Sequence, residues 1–184
     1  MNQVRDYSVS EVLKYGTRVT IRAIRPEDRT PFLEAFRLME KDSLYTRFFS
    51  PRNDLSDAEL DRAVNVDFVR EVALVVTTET DRGETIIAAG RYFAGEAPNT
   101  QRSAELAFMV EEDYQGRGIA SRLLAHLATL ARSQGLTRFE ADVLIQNSSM
   151  LAVFRRCGFP MQQRRDGSVV HLTLELAAND NAVG

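Results

Sequence analysis

The 184 residues carry 23 Lys and Arg against 26 Asp and Glu, a net charge of −3, with 44 % apolar and 27 % charged residues. That balance describes one globular domain long enough to bury its own core, and it excludes the basic field of a nucleic-acid or anionic-membrane binder. Cys157 is the single cysteine, which excludes an internal disulfide and suits a reducing compartment. No apolar run reaches the roughly 20 residues of a transmembrane helix, and the polar start MNQVRDYSVSEV is no secretory leader, so the expected location is the cytoplasm.

In chain order, residues 1–16 form an N-terminal segment without a strong pattern, expected to be weakly ordered, and TRVTIRAI (17–24) alternates with β-branched residues and predicts a strand. RPEDRTPFLEAFRLME (25–40) has helical spacing in Phe32, Leu33, Phe36, Leu38 and Met39, with Pro26 and two acids at its start. Ser56, followed three residues later by Glu59, is a capping-box pattern that opens a second helix. EVALVVTT (71–78) and TIIAAGRYFA (85–94) bracket a polar turn and predict an antiparallel hairpin, and SAELAFMV (103–110) predicts a further strand.

A long amphipathic helix follows, with Ile119, Leu123, Leu124, Leu127, Leu130 and Ala131 on one face and Gly135 as its stop. TRFEADVLI (137–145) is a strand, residues 147–157 a helix capped by Asn147 and ended before Gly158, RRDGS (164–168) a charged turn, and VVHLTLEL (169–176) a last strand. Residues 177–184 form a polar tail. The order predicts a single α/β (α+β) domain over 17–176, with about six to seven mostly antiparallel strands in a mixed sheet and about four helices on its faces.

The chemistry gathers where the sixth predicted element, the strand 103–110, meets the long helix, in EEDYQGRGIASRLL (111–124). A helix N-terminus offers unpaired N–H groups and partial positive charge, and Gly116 and Gly118 remove the Cβ atoms that would hold an anion away. Arg117 and Arg122 add cations near it. The same glycines also suit a plain connecting turn. A dinucleotide-binding turn does not fit, because five residues separate strand from glycines and Ser121 stands at the third glycine position.

Gln115-Gly116-Arg117-Gly118-Ile119-Ala120 resembles the Gln/Arg-x-x-Gly-x-Gly/Ala signature of the GNAT superfamily of acetyl-CoA-dependent N-acetyltransferases, and NSSMLAVFRRCGF (147–159) resembles its second motif. Within the superfamily, IRAIRPEDRTPFLEAF, SLYTRFFSP (43–51), AELAFMV and QGRGIASRLL are similar to the catalytic domain of bacterial Pat-type protein lysine acetyltransferases. The likeness spans 17–176. Pat-type enzymes commonly fuse this domain to a synthetase-like or cyclic-nucleotide-binding module, for which these 184 residues carry no sequence, so no fused sensor is expected.

The resemblance implies acetyl-CoA as co-substrate and no metal. It implies that the backbone of Gln115, Gly116, Arg117, Gly118, Ile119, Ala120 and Ser121 binds the pyrophosphate, and that the pantetheine arm pairs with the edge of Phe108, Met109 and Val110. Asn147 either contacts that arm or only caps its helix. Glu105, the matching "AE" glutamate, becomes the general base, partly buried beside Ala107 and Met109; the plain reading of its spacing is an outward charge on a half-exposed strand. A base is needed because a lysine amine, with a pKa of about 10.4, is almost all ammonium at neutral pH. Tyr45 and Arg47 are expected to line the acceptor cleft, and Phe48 and Phe49 to be core.

Phe154 occupies the place where many family members carry a tyrosine general acid, so it is counted with the cofactor contacts and no general acid is assigned. Cys157 is read as a packing residue, and His126 and His171 are too scattered for a metal site. Three functions stay open: acetyl transfer to a lysine of a protein such as an acyl-CoA synthetase, transfer to a small amine, and acyl-CoA binding without turnover. The acidic run Glu111-Glu112-Asp113 either attracts a cationic acceptor or is simply solvated. Nucleic-acid and membrane partners are not expected, and the sequence is silent on oligomeric state.

Overall fold

A computed structural model describes residues 3–38, 54–95 and 102–176. Eight strands, β1 (Ser8–Val12), β2 (Arg18–Ala23), β3 (Glu71–Thr80), β4 (Gly83–Ala94), β5 (Ser103–Val110), β6 (Arg138–Leu144), β7 (Met161–Asp166) and β8 (Val169–Glu175), form one sheet in the order β1-β2-β3-β4-β5-β6-β8-β7. Every neighbouring pair is antiparallel except β5 and β6. That parallel pair needs a crossover, which α3 (Ile119–Ser133) supplies. The other helices are α1 (Arg29–Arg37), α2 (Asp57–Val64) and α4 (Ser148–Arg155).

The sheet has two strands beyond the six traced from pattern. β7 reads MQQRRD, lies at the sheet edge and is exposed along nearly its whole length, so it has no buried face to leave an apolar alternation. The other is β1, in the segment expected to be weakly ordered. It pairs with β2 from Ser8↔Arg22 to Val12↔Arg18, and its half-buried Glu11, with Tyr7 just before the strand, meets the long helix through polar contacts. The Nε2–H of His126 in α3 donates to Glu11 Oε1 at 2.7 Å, the Tyr7 hydroxyl donates to His126 Nδ1, and Arg122 lies 3.6 Å from Glu11 Oε2. Burial, and then the Glu11 charge, push the Tyr7 phenol above its ordinary pKa, which keeps it the donor.

α3 packs against β3, β4 and β5 with Leu123, Leu124, Leu127 and Ala131 fully covered. α1 lies on the opposite face of β4. Gly90 in β4 faces α3, because a Cβ there would meet Phe108 at 2.9 Å and Leu127 at 3.1 Å. Its neighbour Arg91 points the other way, donating to the Ala63 carbonyl of α2 at 2.8 Å and to Glu71 at 2.8 Å.

Helix starts follow their local chemistry. The Ser56 hydroxyl accepts the Glu59 N–H and the Glu59 carboxylate accepts the Ser56 N–H, the reciprocal capping box expected for α2. α1 begins later than the pattern predicts, because a tight 3₁₀ turn, Pro26–Asp28, comes first. Asp28 closes that turn on the Arg25 N–H at 2.8 Å and also grips the buried Arg22 of β2 through two 2.8 Å bonds. Glu84 of β4 takes the other side of the same guanidinium.

Removing one partner of a buried ion pair leaves an uncompensated charge, typically at 3–5 kcal/mol, and Glu84 offsets part of that here. Asp28→Asn is expected to cost about 3 kcal/mol in urea unfolding. A loss under about 0.5 kcal/mol would mean that Glu84 alone satisfies Arg22.

Candidate active site

The site begins where a ladder stops. β5 pairs with β6 only through Ser103↔Arg138, Ala104↔Phe139 and Glu105↔Glu140, although both strands run on to Val110 and Leu144. On its other edge β5 stays paired with β4 as far as Val110, and β6 stays paired with β8 as far as Leu144. The two strands therefore part like a wedge, and the edge of β5 from Leu106 onward turns its N–H and C=O groups into the gap. Such an edge accepts an extended chain that carries its own amides.

On the α3 side the splayed segment is floored by aromatics. Phe108 of β5 and Phe154 of α4 pack with ring centroids 6.1 Å apart, and both are buried. Phe154 is thus a core residue under the gap. Met109, pointing to the opposite side, is half-exposed.

Directly after β5 the chain turns into the glycine stretch. A single 3₁₀ turn, Glu112–Tyr114, is followed by Gln115 in extended conformation and by Gly116 and Gly118 at φ 73° and 85°. Nothing lies within 4 Å of a Cβ built on either glycine, so what selects glycine is the left-handed backbone rather than crowding. The first helical bond of α3 runs from Arg122 N–H to Gly118 O at 3.1 Å, which leaves the amides of Ile119, Ala120 and Ser121 heading the helix without an intrahelical acceptor. Together they present the unpaired donors and partial positive charge of a helix start, a cradle suited to an anion.

The nearby cations are engaged elsewhere. Arg117 donates to Thr17 Oγ1 at 3.0 Å and lies over the Tyr114 ring at 5.0 Å, while Arg122 faces Glu11. Among the acids, burial and then the Asp113 charge hold the Glu111 carboxyl above the ordinary carboxylate range.

Glu105 stands at the last paired position, at the throat of the wedge. Its side chain is exposed, which corrects the expectation of partial burial. Ala107 and Met109 share its face, but that face is only half covered. Across the register it meets Phe93 on β4 and Glu140 on β6. Asn147 caps α4, its Oδ1 accepting the Met150 N–H at 3.1 Å, so the capping alternative is realised. Tyr45, Arg47, Phe48 and Phe49 lie outside the described residues.

Two sets of residues near the site carry no sequence motif. One is the Tyr7–His126–Glu11 link to α3, for which the only sequence cue is the alternation of YSVSEV. The other is Asp142 of β6, which accepts from His171 Nδ1 of β8 on the same sheet face as Glu105. Among the described residues, no three His, Cys, Asp or Glu side chains converge as metal ligands, and no helix is long and apolar enough to cross a membrane.

This geometry matches known proteins. The sequence profile described as the acetyltransferase (GNAT) family matches residues 36–159. The acetyltransferase Pat of Mycolicibacterium smegmatis is 36 % identical over 146 residues, covering 79 % of this chain and 42 % of that protein, so the chain spans less than half of that relative's length. The crystal structure of the GNAT domain of S. lividans PAT superposes with a TM-score of 0.79 at 35 % identity, covering 91 % of this chain and 96 % of that one. The Salmonella typhimurium protein yncA, solved with its cofactor acetyl-CoA, shares the fold at a TM-score of 0.66 and 19 % identity, with 88 % and 96 % covered. By the match over 36–159 and the two identities above one third, the chain belongs to the GNAT family of acetyltransferases.

Proposed function

We propose that the protein transfers an acetyl group from acetyl-CoA directly to a lysine side-chain amine of a protein acceptor, an acyl-CoA synthetase being the class that the Pat likeness suggests. The observation that carries this reading is the ladder ending at Glu105↔Glu140, from which the open edge of β5 runs on toward the glycine stretch that heads α3. Coenzyme A has a pyrophosphate and, a short reach away, an extended arm with two amides. The amides of Gly118 to Ser121 suit the pyrophosphate, and the open edge of Phe108 to Val110 suits the arm. Gln115, Gly116 and Arg117 shape the approach to the cradle. Asn147 supports the far wall through its cap on α4, and Phe154 supports the floor. Tyr45 and Arg47 are assigned to the acceptor side by resemblance alone.

In the reaction, Glu105 takes one proton from the acceptor ammonium, directly or through a water. The freed amine attacks the thioester carbonyl, whose oxygen gains charge and draws on backbone N–H groups of the β5 edge. The C–S bond then breaks and coenzyme A leaves as its thiolate, while the nitrogen, which still carries two hydrogens in the tetrahedral intermediate, gives one of them to the thiolate or to water as the amide forms. A thiol ionises near pH 8.5, so departure needs little help, which is compatible with Phe154 where a tyrosine acid would stand. Exposure of Glu105 is no obstacle to this step, because a solvated carboxylate reaches a water-bridged amine as well as a direct one.

An acetyl-CoA assay with lysate proteins of a deacetylase-free bacterium, read by acetyl-lysine mass spectrometry, tests the acceptor class. Protein marks are expected; turnover with a polyamine and none on proteins would move the assignment to small amines. Glu105→Gln is expected to lower turnover at pH 7 about a hundredfold, within the usual range for a general base. Its rate should then climb about tenfold per pH unit as free amine becomes available below the lysine pKa. A pH-independent or undiminished rate would remove Glu105 from the chemistry. Gly118→Ala forces a Cβ into a left-handed backbone at about 1–2 kcal/mol and is expected to raise the KM for acetyl-CoA about tenfold, with the acceptor KM unchanged. An unaltered acetyl-CoA KM would mean that the cradle does not hold the cofactor.

A further inference from the structure

Beyond Glu105↔Glu140, β6 leaves β5 but remains tied to β8, so the next outward residue on this face, Asp142, stands on the far lip of the wedge. Alternation along β6 and the register with β5 put Glu105, Glu140 and Asp142 on one face of the sheet. Phe139, Ala141 and Val143 point to the other face and are buried. The face that carries the proposed base thus continues across the gap as polar floor.

Asp142 is held there. Its cross-strand partner is His171, and because a carboxylate only accepts, His171 Nδ1–H is the donor to Asp142 Oδ1. The ring's Nε2 lies 3.9 Å from Asp166 of β7, and Arg164, also on β7, faces His171 across the register. Both members of the pair are about one third exposed. Beside them is a cavity of about 380 Å³ lined by Glu140, Asp142, Gln162, Arg164, His171 and Thr173. This is the size of a small ligand site, and its walls bind through hydrogen bonds and charge.

A cross-strand polar pair that served only the sheet would contribute roughly 0.2–1 kcal/mol and would sit as well on any exposed face. This one sits two residues beyond the point where the wedge opens, across the gap from the base. An amine arrives as an ammonium. It needs one anionic group that holds it and another that takes its proton.

We propose that Asp142, oriented by His171, binds the acceptor ammonium on the far lip of the cleft while Glu105 on the near lip removes its proton. Asp142 holds the ammonium and takes no proton from it: the ammonium gives one proton to Glu105, spends the freed lone pair on the thioester carbon, and loses a second proton to the departing thiolate or to water as the amide forms. His171 is a positioning residue that acts through Asp142. The role rests on the acetyltransferase reading above and names the part of the site that recognises the acceptor.

The test uses the full chain with acetyl-CoA, first with lysate proteins at graded concentration, read site by site as acetyl-lysine, and then with spermidine, read as released coenzyme A. Asp142→Asn is expected to raise the half-saturating acceptor concentration about tenfold while the acetyl-CoA KM, the limiting rate within about threefold, and the melting temperature are kept. His171→Phe should do the same, and His171→Gln, which retains an N–H donor for Asp142, should recover most of the loss. An unchanged acceptor requirement in Asp142→Asn overturns the role. So does a rise in acetyl-CoA KM that accompanies a fall in melting temperature. Wild-type protein that consumes acetyl-CoA with neither acceptor overturns the transferase reading itself, and this role with it; active wild type with an unaffected Asp142→Asn overturns the role alone.

Discussion

The interruption of the β5–β6 ladder after three residue pairs is the constraint on which the rest of the molecule turns. Backbone amides at a parting seam still require partners, so a fold that opens its own sheet in the middle leaves an edge that only water or an extended ligand can satisfy. Everything around the opening maintains it. α3 crosses from one side to the other, Gly90 clears room for Phe108, and Phe154 closes the floor from α4. The outer edges of both strands remain fully paired, and that keeps the gap from spreading.

The second requirement is a fixed direction for α3, since its first turn is the cradle. Apolar packing sets the helix against β3, β4 and β5, but a buried stripe alone permits sliding and rotation. Polar contacts from β1 and the residues flanking it limit that freedom: Glu11 and Tyr7 hold His126, Glu11 faces Arg122, and Thr17 holds Arg117. The same contacts draw both nearby guanidiniums away from the cradle, leaving its attraction for anions to the helix end and its amides.

Legibility in the sequence followed the range of the interactions. Local signals came through: the Ser56–Glu59 box, the Asn147 cap, the hairpin of β3 and β4, and the two glycines before α3 each depend on neighbours within a few positions. β1 did not, because its polar residues are satisfied by a helix 115 or more positions away. β7 did not, because an edge exposed on both faces has no pattern to leave. The burial of Glu105 was overestimated for a similar reason: Ala107 and Met109 make its face look apolar, and only the tertiary arrangement reveals that this part of the sheet is half open. Asn147 caps α4 through its Oδ1, as its local signal allows.

The fastening of β1 also makes the N-terminal strand a mechanical handle. Tension applied at the chain start meets first Val4, buried in the core, and then the Tyr7 hydroxyl on the His126 ring, about two helical turns below the first residue of α3. The N-terminal strand and α3 are thus mechanically in series, so a pull on the one is felt by the other.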